Sequence, residues 1–178
     1  LLQQGVQQAG QGFWELGLTC YSALTQQALL VADLDLAHSL NRAALRLARE
    51  RESVVLEAYL ELDHAQWLEH RGALFEAERI LQQACLMLNE DDISQSPGLG
   101  RIHLRLGQLL LRQGKLAMAH RYFTYGLQET LRWGDHRAIY GYCGLAFIAL
   151  ESHNDAAALD YLRDAERCMQ RNHIPDEV

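Results

Sequence analysis

Alanine residues recur along the chain at an almost constant interval, and this recurrence limits the folds open to it. Ala37, Ala77, Ala119 and Ala158 are separated by 40, 42 and 39 residues. Four further columns keep the same register: a turn position, an apolar position, the small position after it and a second small position downstream. These columns hold Ala32, Gly72, Gly114 and His153; Leu24, Leu106 and Leu145, with His64 as the variant; Thr25, Ala65, Gly107 and Ala146; and Ala44, Ala84, Gly126 and Ala165. The chain therefore contains four copies of one repeat, and repeats of this kind bury their apolar faces by stacking.

The third copy shows how each repeat is expected to fold. Its apolar residues fall at helical spacing over residues 99–113 and again over 116–132, with "QGK" as the turn between them. Gly inside a helix costs roughly 1 kcal/mol relative to Ala, so Gly107 predicts a packing function. Together with Ala119 it removes side-chain bulk where the two helices cross, and Gly114 suits the left-handed conformation that ends a helix. The positions expected to face inward are Leu106, Leu110 and Leu116.

Composition agrees with an all-α fold. The chain is rich in Ala, Leu, Gln, Arg and Glu, poor in β-branched residues, and has only 2 prolines. Its length predicts a single domain over residues 1–178, with repeats at approximately 18–53, 54–97, 98–136 and 137–172. Residues 89–98, "NEDDISQSPG", predict a longer surface loop, whereas "RERES" (49–53) has no helix breaker and predicts a softer boundary.

Charge and cysteine usage exclude several classes of function. The net charge is −7 and the 16 basic residues are spread along the chain, so we expect no direct nucleic-acid contact, which normally needs a clustered basic face. The 4 cysteines form no CxxC pair, which favours a cytoplasmic location. No apolar run reaches the roughly 18 residues of a membrane span, so we expect no membrane association. The first residue, Leu1, and the end without a tail predict a segment of a larger polypeptide.

Motifs for catalysis or metal binding are missing from the sequence or incomplete. There is no GxxxxGK[ST] phosphate loop and no nucleophile elbow. Glu61-x-x-His64 is half of a di-iron carboxylate arrangement whose second half is missing, and His70 lies on a different helix face from His64. We therefore expect no enzymatic activity, no cofactor and no metal site. The other interpretation of His64 is that it replaces a packing Leu between helices and hydrogen-bonds locally.

The side of each first helix opposite the packing stripe carries the candidate binding residues. Residues at spacings of four, seven and eleven share one side of a helix, and the repeat offsets give a column of Gln26, Gln66, Gln108 and Phe147. Amides both donate and accept hydrogen bonds, and aromatic rings offer flat apolar faces. The full candidate set is Gln26, Tyr59, Gln66, His70, Arg101, Arg105, Gln108, Arg112, Tyr140 and Phe147. The alternative is that these residues only solvate an exposed helix face.

Other aromatic residues are expected to pack. Tyr122 and Phe123 occupy a packing column of a second helix. Trp14, Trp67 and Trp133 are expected in the core or between repeats, although Trp67 neighbours Gln66 and alternatively edges the binding face.

The stretch "HLRLGQLLLRQGKLAMAHRYFTYGL" carries a Leu-Gly pair, a turn Gly, a late Ala, an aromatic residue and a small residue in order, and it resembles the tetratricopeptide repeat (TPR). Copies of about 40 residues are longer than the roughly 34 of that repeat. With "AQWLEHRGALFEAERILQQACLML" and "GYCGLAFIALESHNDAAALDYLRDAERCM", the chain resembles the central helical domain of MalT-type regulators, large ATP-dependent members of the LuxR family. The resemblance implies a TPR-like helix-hairpin solenoid with a right-handed superhelix, first helices on its concave surface, inducer sensing, and NTPase and helix-turn-helix domains elsewhere in the polypeptide.

Three functions stay open at this point. The first is a ligand-sensing and interaction domain of a MalT-like transcriptional regulator, which binds a small inducer in the concave groove and contacts other domains or subunits of the regulator. The second is a general TPR scaffold that binds a peptide or partner protein, with Arg101, Arg105 and Arg112 pairing with an acidic peptide. The third is self-association through the end copies, because Leu1, Leu2 and the end at Val178 lack the polar caps of terminal repeats.

Overall fold

The computed structural model describes residues 14–90 and 97–172, whose secondary structure is entirely α-helical, which confirms the all-α fold class. Leu1, Leu2, Val178 and residues 91–96 of the predicted loop lie outside the described residues. The helices are α1 (Trp14–Leu30), α2 (Leu34–Glu50), α3 (Val54–His70), α4 (Leu74–Glu90), α5 (Pro97–Arg112), α6 (Leu116–Arg132), α7 (Ala138–Glu151) and α8 (Asp155–Asn172). Each copy of the repeat is thus a hairpin of two helices.

A left-handed residue ends the first helix of every hairpin. Ala32, Gly72, Gly114 and His153 have φ angles of 59°, 77°, 73° and 55°, so the turn column seen in the sequence is confirmed. The N–H of Gly114 donates to the Leu111 carbonyl and the next N–H, of Lys115, donates to the Leu110 carbonyl, both at 2.9 Å. This is the Schellman arrangement, which satisfies carbonyls at the end of a helix.

The boundary at "RERES" is sharper than the sequence indicated. Glu52 has φ of 53°, and the N–H of Ser53 donates to the Ala48 carbonyl at 3.0 Å. The prediction of a soft boundary was wrong, because a residue other than Gly adopts the left-handed conformation here at a cost of about 1–2 kcal/mol.

The chain divides into two compact units, Leu1–Ser94 (unit 1) and Gln95–Val178 (unit 2). In unit 1, α3 packs on α2 and also contacts α1. In unit 2, α7 packs on α6 and also contacts α5. Within each unit the first helices of the two hairpins are therefore neighbours. A single domain over residues 1–178 stays a prediction.

The small columns mark the closest approaches between helices. Ala119 is fully buried and Phe123 is 1% exposed. A Cβ atom on Gly107 of α5 would lie 2.8 Å from the Phe123 ring, and a Cβ atom on Gly144 of α7 would overlap the same ring. The phenyl ring therefore depends on two glycines, one in its own hairpin and one in the next, which confirms the packing function predicted for Gly107 and Ala119.

Leucine and isoleucine side chains surround this ring in the core of unit 2, among them Leu104, Leu127, Leu145 and Ile148. Of the predicted inward positions, Leu106 and Leu110 are fully buried and Leu116 is partly buried. Tyr122 packs against the same cluster, as expected.

The core of unit 1 contains a buried polar residue where unit 2 has Phe123. Asn41, the repeat equivalent of Phe123, is 1% exposed, and its amide donates to the Leu60 carbonyl of α3 at 2.9 Å. Leu18, Leu45 and Leu60 belong to the apolar cluster of this unit. In unit 1 this hydrogen bond joins one hairpin to the next. In unit 2 the packing of Phe123 joins the two hairpins instead.

Two of the three tryptophans pack in the structure, as the sequence predicted. Trp67 is 9% exposed, and its indole N–H donates to the Leu34 carbonyl at 2.9 Å, while Trp14 packs against the cluster of unit 1. The packing function expected for Trp133 was wrong. This residue is 45% exposed, because it is the C-cap of α6, where the chain leaves the helix.

Among the described helices, none combines the length and the apolarity that crossing a lipid bilayer requires.

Replacing Gly144 by Ala tests the contact with Phe123. Overpacking of this kind costs about 1–3 kcal/mol, and the gain of about 1 kcal/mol in helix propensity offsets part of it. We expect a net loss of about 1–2 kcal/mol in the free energy of unfolding, measured by urea titration, and partial recovery in the double variant Gly144→Ala/Phe123→Leu. Cys143→Ala, at the exposed neighbouring position, is the control. Equal stability of the Gly144 and Cys143 variants would contradict the packing account.

His103 of α5 lies against two tyrosines of α6. Its ring centroid is 5.8 Å from that of Tyr122 and 5.9 Å from that of Tyr125. Burial lowers the pKa of the imidazole to about 4, and its Nδ1 is buried without a hydrogen-bond partner. The folded unit therefore holds the neutral ring.

This lowered pKa predicts a pH dependence of stability. The stabilising contribution of neutral His103 is complete above the unfolded pKa of about 6.5 and is lost as the pH falls towards about 4, because only the unfolded chain takes up the proton in this range. With falling pH, the free energy of unfolding should decline less in His103→Gln than in the wild type, by up to about 3 kcal/mol at pH 4. Amide hydrogen exchange in α5 and α6 measures this pH dependence. His120→Gln, which replaces an exposed histidine, is the control. Identical pH profiles for wild type and His103→Gln would exclude His103 as the cause.

Candidate functional site

Gln26 and Gln66, two members of the predicted column, meet between α1 and α3. The Nε2 of Gln26 donates to the Oε1 of Gln66 and, at 2.5 Å, to the Oδ1 of Asp63. The hydroxyl of Ser22 donates to the other carboxylate oxygen, Oδ2, at 2.6 Å. Asp63 is only 4% exposed, and a buried carboxylate is tolerated only when it is hydrogen-bonded. This polar network joins the two first helices of unit 1.

Asp63 was missed by the sequence analysis. Its equivalents in the other copies are Ala23, Arg105 and Gly144, so no periodic signal marks it. The available signal was local: Asp63 precedes Gln66 by three residues and shares its side of α3.

Tyr59 and His70, the other candidates of α3, stand near its two ends. Tyr59 is partly buried one turn before Asp63, and His70 is exposed in the last turn. At a rise of 1.5 Å per residue they are about 16 Å apart along the helix. The structure therefore spreads the candidates of α3 along the helix and does not gather them into one pocket.

His64 takes part in an ion-pair cluster between α2 and α3. Its Nδ1 lies 3.1 Å from the Oε2 of Glu61, which confirms the local hydrogen bond expected for it. Arg49 of α2 pairs with Glu57 at 2.6 Å and with Glu61 at 3.2 Å. Within residues 14–90 and 97–172, no group of three or more His, Cys, Asp or Glu side chains is arranged to hold a metal ion.

Arg101, the first of the candidate residues of α5, binds a residue of the turn between the two hairpins of unit 2. Its Nε donates to the Oδ2 of Asp135 at 3.1 Å, and the backbone N–H and the guanidinium of Arg137 donate to Oδ1 at 2.9 and 3.2 Å. Burial raises the pKa of Asp135, but the hydrogen bonds and charges of Arg137 and Arg101 outweigh it and hold the pKa below its usual value. Asp135, also missed from the sequence, thus positions Arg101.

The other α5 candidates lie further along the same helix. The Nη1 of Arg105 donates to the Oε1 of Gln108 at 3.2 Å, and both residues are partly buried. Arg112 is exposed in the last turn. The amide of Gln108 is thus polarised by a neighbouring cation, and the row combines three arginines with one amide.

The α7 candidates form an exposed aromatic row. Tyr140 is 53% and Phe147 48% exposed, and they are the repeat equivalents of Arg101 and Gln108. Since α5 and α7 are in contact, the two rows are neighbours. Sequence reasoning missed two exposed residues that extend the aromatic row, Cys143 and Leu150. We call the combined surface the α5/α7 face; it comprises Arg101, Arg105, Gln108 and Arg112 of α5 and Tyr140, Cys143, Phe147 and Leu150 of α7.

Comparison with known protein families identifies the family to which this chain belongs. The family model of the MalT-like TPR region matches residues 13–178. The chain belongs to this family. The resemblance drawn from the repeat columns is therefore confirmed, and the chain is a helical-repeat interaction domain of the MalT-like type. No curated protein matches the sequence.

The MalT-like TPR region shares its fold with several solved structures. The crystal structure of BtubC (BKLC) from P. vanneervenii has 18% sequence identity and a TM-score of 0.82, with 99% of this chain and 74% of that chain covered. The apo form of RapI has 14% identity and a TM-score of 0.73, covering 86% and 56%. Aspartyl phosphate phosphatase F from Bacillus subtilis has 17% identity and a TM-score of 0.62, covering 99% and 55%. The chain thus spans little more than half the length of the last two, and the likeness concerns the fold alone.

The unit 1 network predicts a structural function for Gln26 in this MalT-like TPR region. Gln26→Ala removes hydrogen bonds to Asp63 and Gln66, and we expect a loss of about 1–3 kcal/mol in the free energy of unfolding. Gln27→Ala, at the exposed neighbouring position, is the matched control and should change stability by less than about 0.5 kcal/mol. Urea unfolding followed by circular dichroism measures both. If the two variants are equally stable, Gln26 does not support the fold and remains a candidate for ligand contact.

Proposed function

We propose that the chain is the ligand-sensing and partner-binding domain of a cytoplasmic MalT-like transcriptional regulator, and that its α5/α7 face binds an acidic peptide segment carrying apolar side chains. The observation that supports this most directly is the exposed aromatic row of α7 beside the arginine and amide row of α5. Unit 1 offers no such surface in its first helices, since Gln26, Gln66 and Asp63 hydrogen-bond to one another.

The aromatic row is suited to anchor an extended ligand. From Tyr140 to Leu150 the exposed residues follow one side of α7 over about 15 Å. Tyr and Phe provide a large contact area with few rotatable bonds, and aromatic residues dominate the energetics of binding surfaces. Because Tyr140 and Phe147 are about half exposed, a ligand reaches them from one side, as a peptide lying on a surface does.

The charge of the α5 row determines which peptide is favoured. The whole chain has a net charge of −7, yet the row carries Arg105 and Arg112 in addition to Arg101, whose charge is paired with Asp135. A local cationic row in an acidic protein attracts carboxylates to one place, while the acidic remainder of the surface repels them. Guanidinium groups also bind carboxylates in a bidentate geometry. An acidic segment from another domain or subunit of the regulator fits this pattern.

A small inducer is the alternative occupant. One cleft in unit 1 has a volume of about 230 Å³ and is lined by Arg49, Glu57, Glu61, His64 and Arg79, among others. This is below the roughly 300–1,000 Å³ typical of ligand pockets. The Arg49 guanidinium is already paired with both glutamates. These observations favour a peptide on the α5/α7 face.

Ligand binding on this face gives a physical route to sensing. A ligand shifts a conformational equilibrium only by binding one state better than the other. The α5/α7 face is built from two hairpins, so a ligand that contacts both rows favours the arrangement in which the rows are adjacent. The readout is assembly of the regulator, and DNA contact belongs to another part of it.

Fluorescence anisotropy with a labelled synthetic peptide that alternates Glu and Phe tests the proposal. We expect binding that weakens about tenfold or more in Phe147→Ser, because a central aromatic anchor is lost. Arg112→Gln should weaken it about two- to fivefold, as for an exposed ion pair, and added salt should reduce this difference.

Two matched controls make the result specific. Phe75→Ser removes a phenyl ring that is 78% exposed in unit 1, and Arg46→Gln removes an exposed cation of α2; neither should change the affinity. A peptide with Lys in place of Glu should not bind. Equal affinities of Phe147→Ser and Phe75→Ser would refute the α5/α7 face. A thermal shift with a sugar, amino acid or nucleotide, without peptide binding, would favour the small inducer.

A further inference from the structure

Glu61 of α3 differs in residue type from its equivalents in the other copies of the repeat. Those equivalents are Tyr21, His103 and Tyr142. Tyr21 packs against the apolar cluster of unit 1 and Tyr142 against that of unit 2. His103 lies against two tyrosine rings of α6. The second copy therefore places a carboxylate where each of the other three copies places a packed ring.

The facing helix of the second copy also lacks rings at this place. In the third copy, His103 lies 5.8 and 5.9 Å from Tyr122 and Tyr125 of α6, measured between ring centroids. The equivalents of these two tyrosines in α4 are Ile80 and Gln83. Because both side chains are smaller than tyrosine, a cleft of about 230 Å³ lies between the helices of unit 1. The third copy fills the equivalent place with three rings.

The side chains that line this cleft combine both charges with an apolar surface. Glu57 and Glu61 of α3 contribute carboxylates, and Arg79 and Gln83 of α4 contribute a guanidinium group and an amide. Three apolar residues of α4 line the cleft as well: Ile80, Ala84 and Met87. The cleft thus offers a donor of positive charge, an acceptor of negative charge and a place for a hydrocarbon group.

Two of the charged groups are not used by the fold. The Nε and Nη2 of Arg49 donate to the Oε1 atoms of Glu57 and Glu61, at 2.6 and 3.2 Å. The Oε2 of Glu61 lies 3.1 Å from the Nδ1 of His64. Within the described ranges 14–90 and 97–172, no side chain hydrogen-bonds to the Oε2 of Glu57 or pairs with Arg79. One carboxylate oxygen and one guanidinium group are therefore available to a ligand in the same cleft.

We propose that this cleft binds a free α-amino acid with an apolar side chain. The carboxylate of the amino acid binds the guanidinium group of Arg79, and its ammonium group donates to the Oε2 of Glu57. The hydrocarbon side chain lies against Ile80 and Met87. A ligand with only one charge satisfies only one of the two groups, so the lining favours a zwitterion.

The volume of the cleft agrees with a ligand of this class. Liquid water takes roughly 30 Å³ per molecule, so about 230 Å³ corresponds to about eight waters. Leucine and methionine have about nine non-hydrogen atoms each and are of this size. Nucleotides and oligosaccharides need the larger pockets of roughly 300–1,000 Å³. The size that disfavours such ligands therefore fits a single amino acid.

The amino-acid site is independent of the α5/α7 face. It lies in unit 1 and shares no residue with that face. Phe147→Ser, which should weaken peptide binding, should leave amino-acid binding unchanged. The two proposals can therefore fail separately.

An NMR titration of the isotope-labelled chain with L-leucine tests the site. We expect chemical-shift changes concentrated in the backbone amides of α3 and α4. In Arg79→Gln the dissociation constant should rise about tenfold or more, because the partner of the ligand carboxylate is lost. Arg46→Gln, which removes an exposed cation of α2 outside the cleft, is the matched control and should bind as the wild type does.

A second variant fills the cleft instead of changing its charge. Gln83→Tyr introduces the ring that the third copy carries at this position, and it should abolish leucine binding. Because Gln83 is exposed, the thermal midpoint should stay within about 2 °C of the wild type. Unchanged leucine binding in Gln83→Tyr would overturn the proposal.

Two analogues decide the class of ligand. Leucinamide lacks the carboxylate and isocaproate lacks the ammonium group, so each should bind at least about tenfold more weakly than L-leucine. Equal affinities for all three compounds, or equal affinities of Arg79→Gln and Arg46→Gln for L-leucine, would refute the zwitterion site. The absence of shift changes in α3 and α4 with L-leucine and L-methionine at about 10 mM would refute it as well.

Discussion

The close approach of helices at small side chains is the constraint on which each unit depends. In unit 2, Phe123 occupies space that exists only because Gly107 and Gly144 lack a Cβ atom at that place. The Phe123 ring thereby joins the two helices of its own hairpin and joins that hairpin to the next one. Close packing resists relative displacement of the helices, so the Phe123 ring also favours the position of α7 beside α5, and with it the two rows of the α5/α7 face.

The repeat determines the position of each functional residue, and the residue type determines what that position does. Gln26 and Gln66 occupy the column that Gln108 and Phe147 occupy in unit 2. In unit 1 two amides meet a buried carboxylate, and the network satisfies itself. In unit 2 an amide held by Arg105 stands in the column of an exposed phenyl ring. The same backbone geometry yields a structural network in one unit and an exposed, chemically mixed surface in the other.

Periodic features could be predicted from the sequence, and pairwise features could not. The turn residues Ala32, Gly72, Gly114 and His153 and the small columns recur in register, so their conformation and burial follow from repetition. Asp63 and Asp135 do not recur, and their importance arises from partners on other helices, such as Ser22 and Arg101, which lie 41 and 34 residues away. Such pairings depend on how helices are oriented about their axes, which hydrophobic spacing defines only approximately. The exposed position of Trp133 was mispredicted for a different reason, because the residue is the C-cap of α6 and stands where the chain leaves the helix.

The contacts that hold α7 in place also determine where the α5/α7 face lies. On one side, Gly144 of α7 meets the Phe123 ring of α6. On the other side, α8, whose Ala158 and Ala165 are buried, packs on α7. A displacement of α7 would lose contacts on both sides at once. The exposed Tyr140 and Phe147 therefore stand on a helix whose position beside α5 is stabilised by core packing.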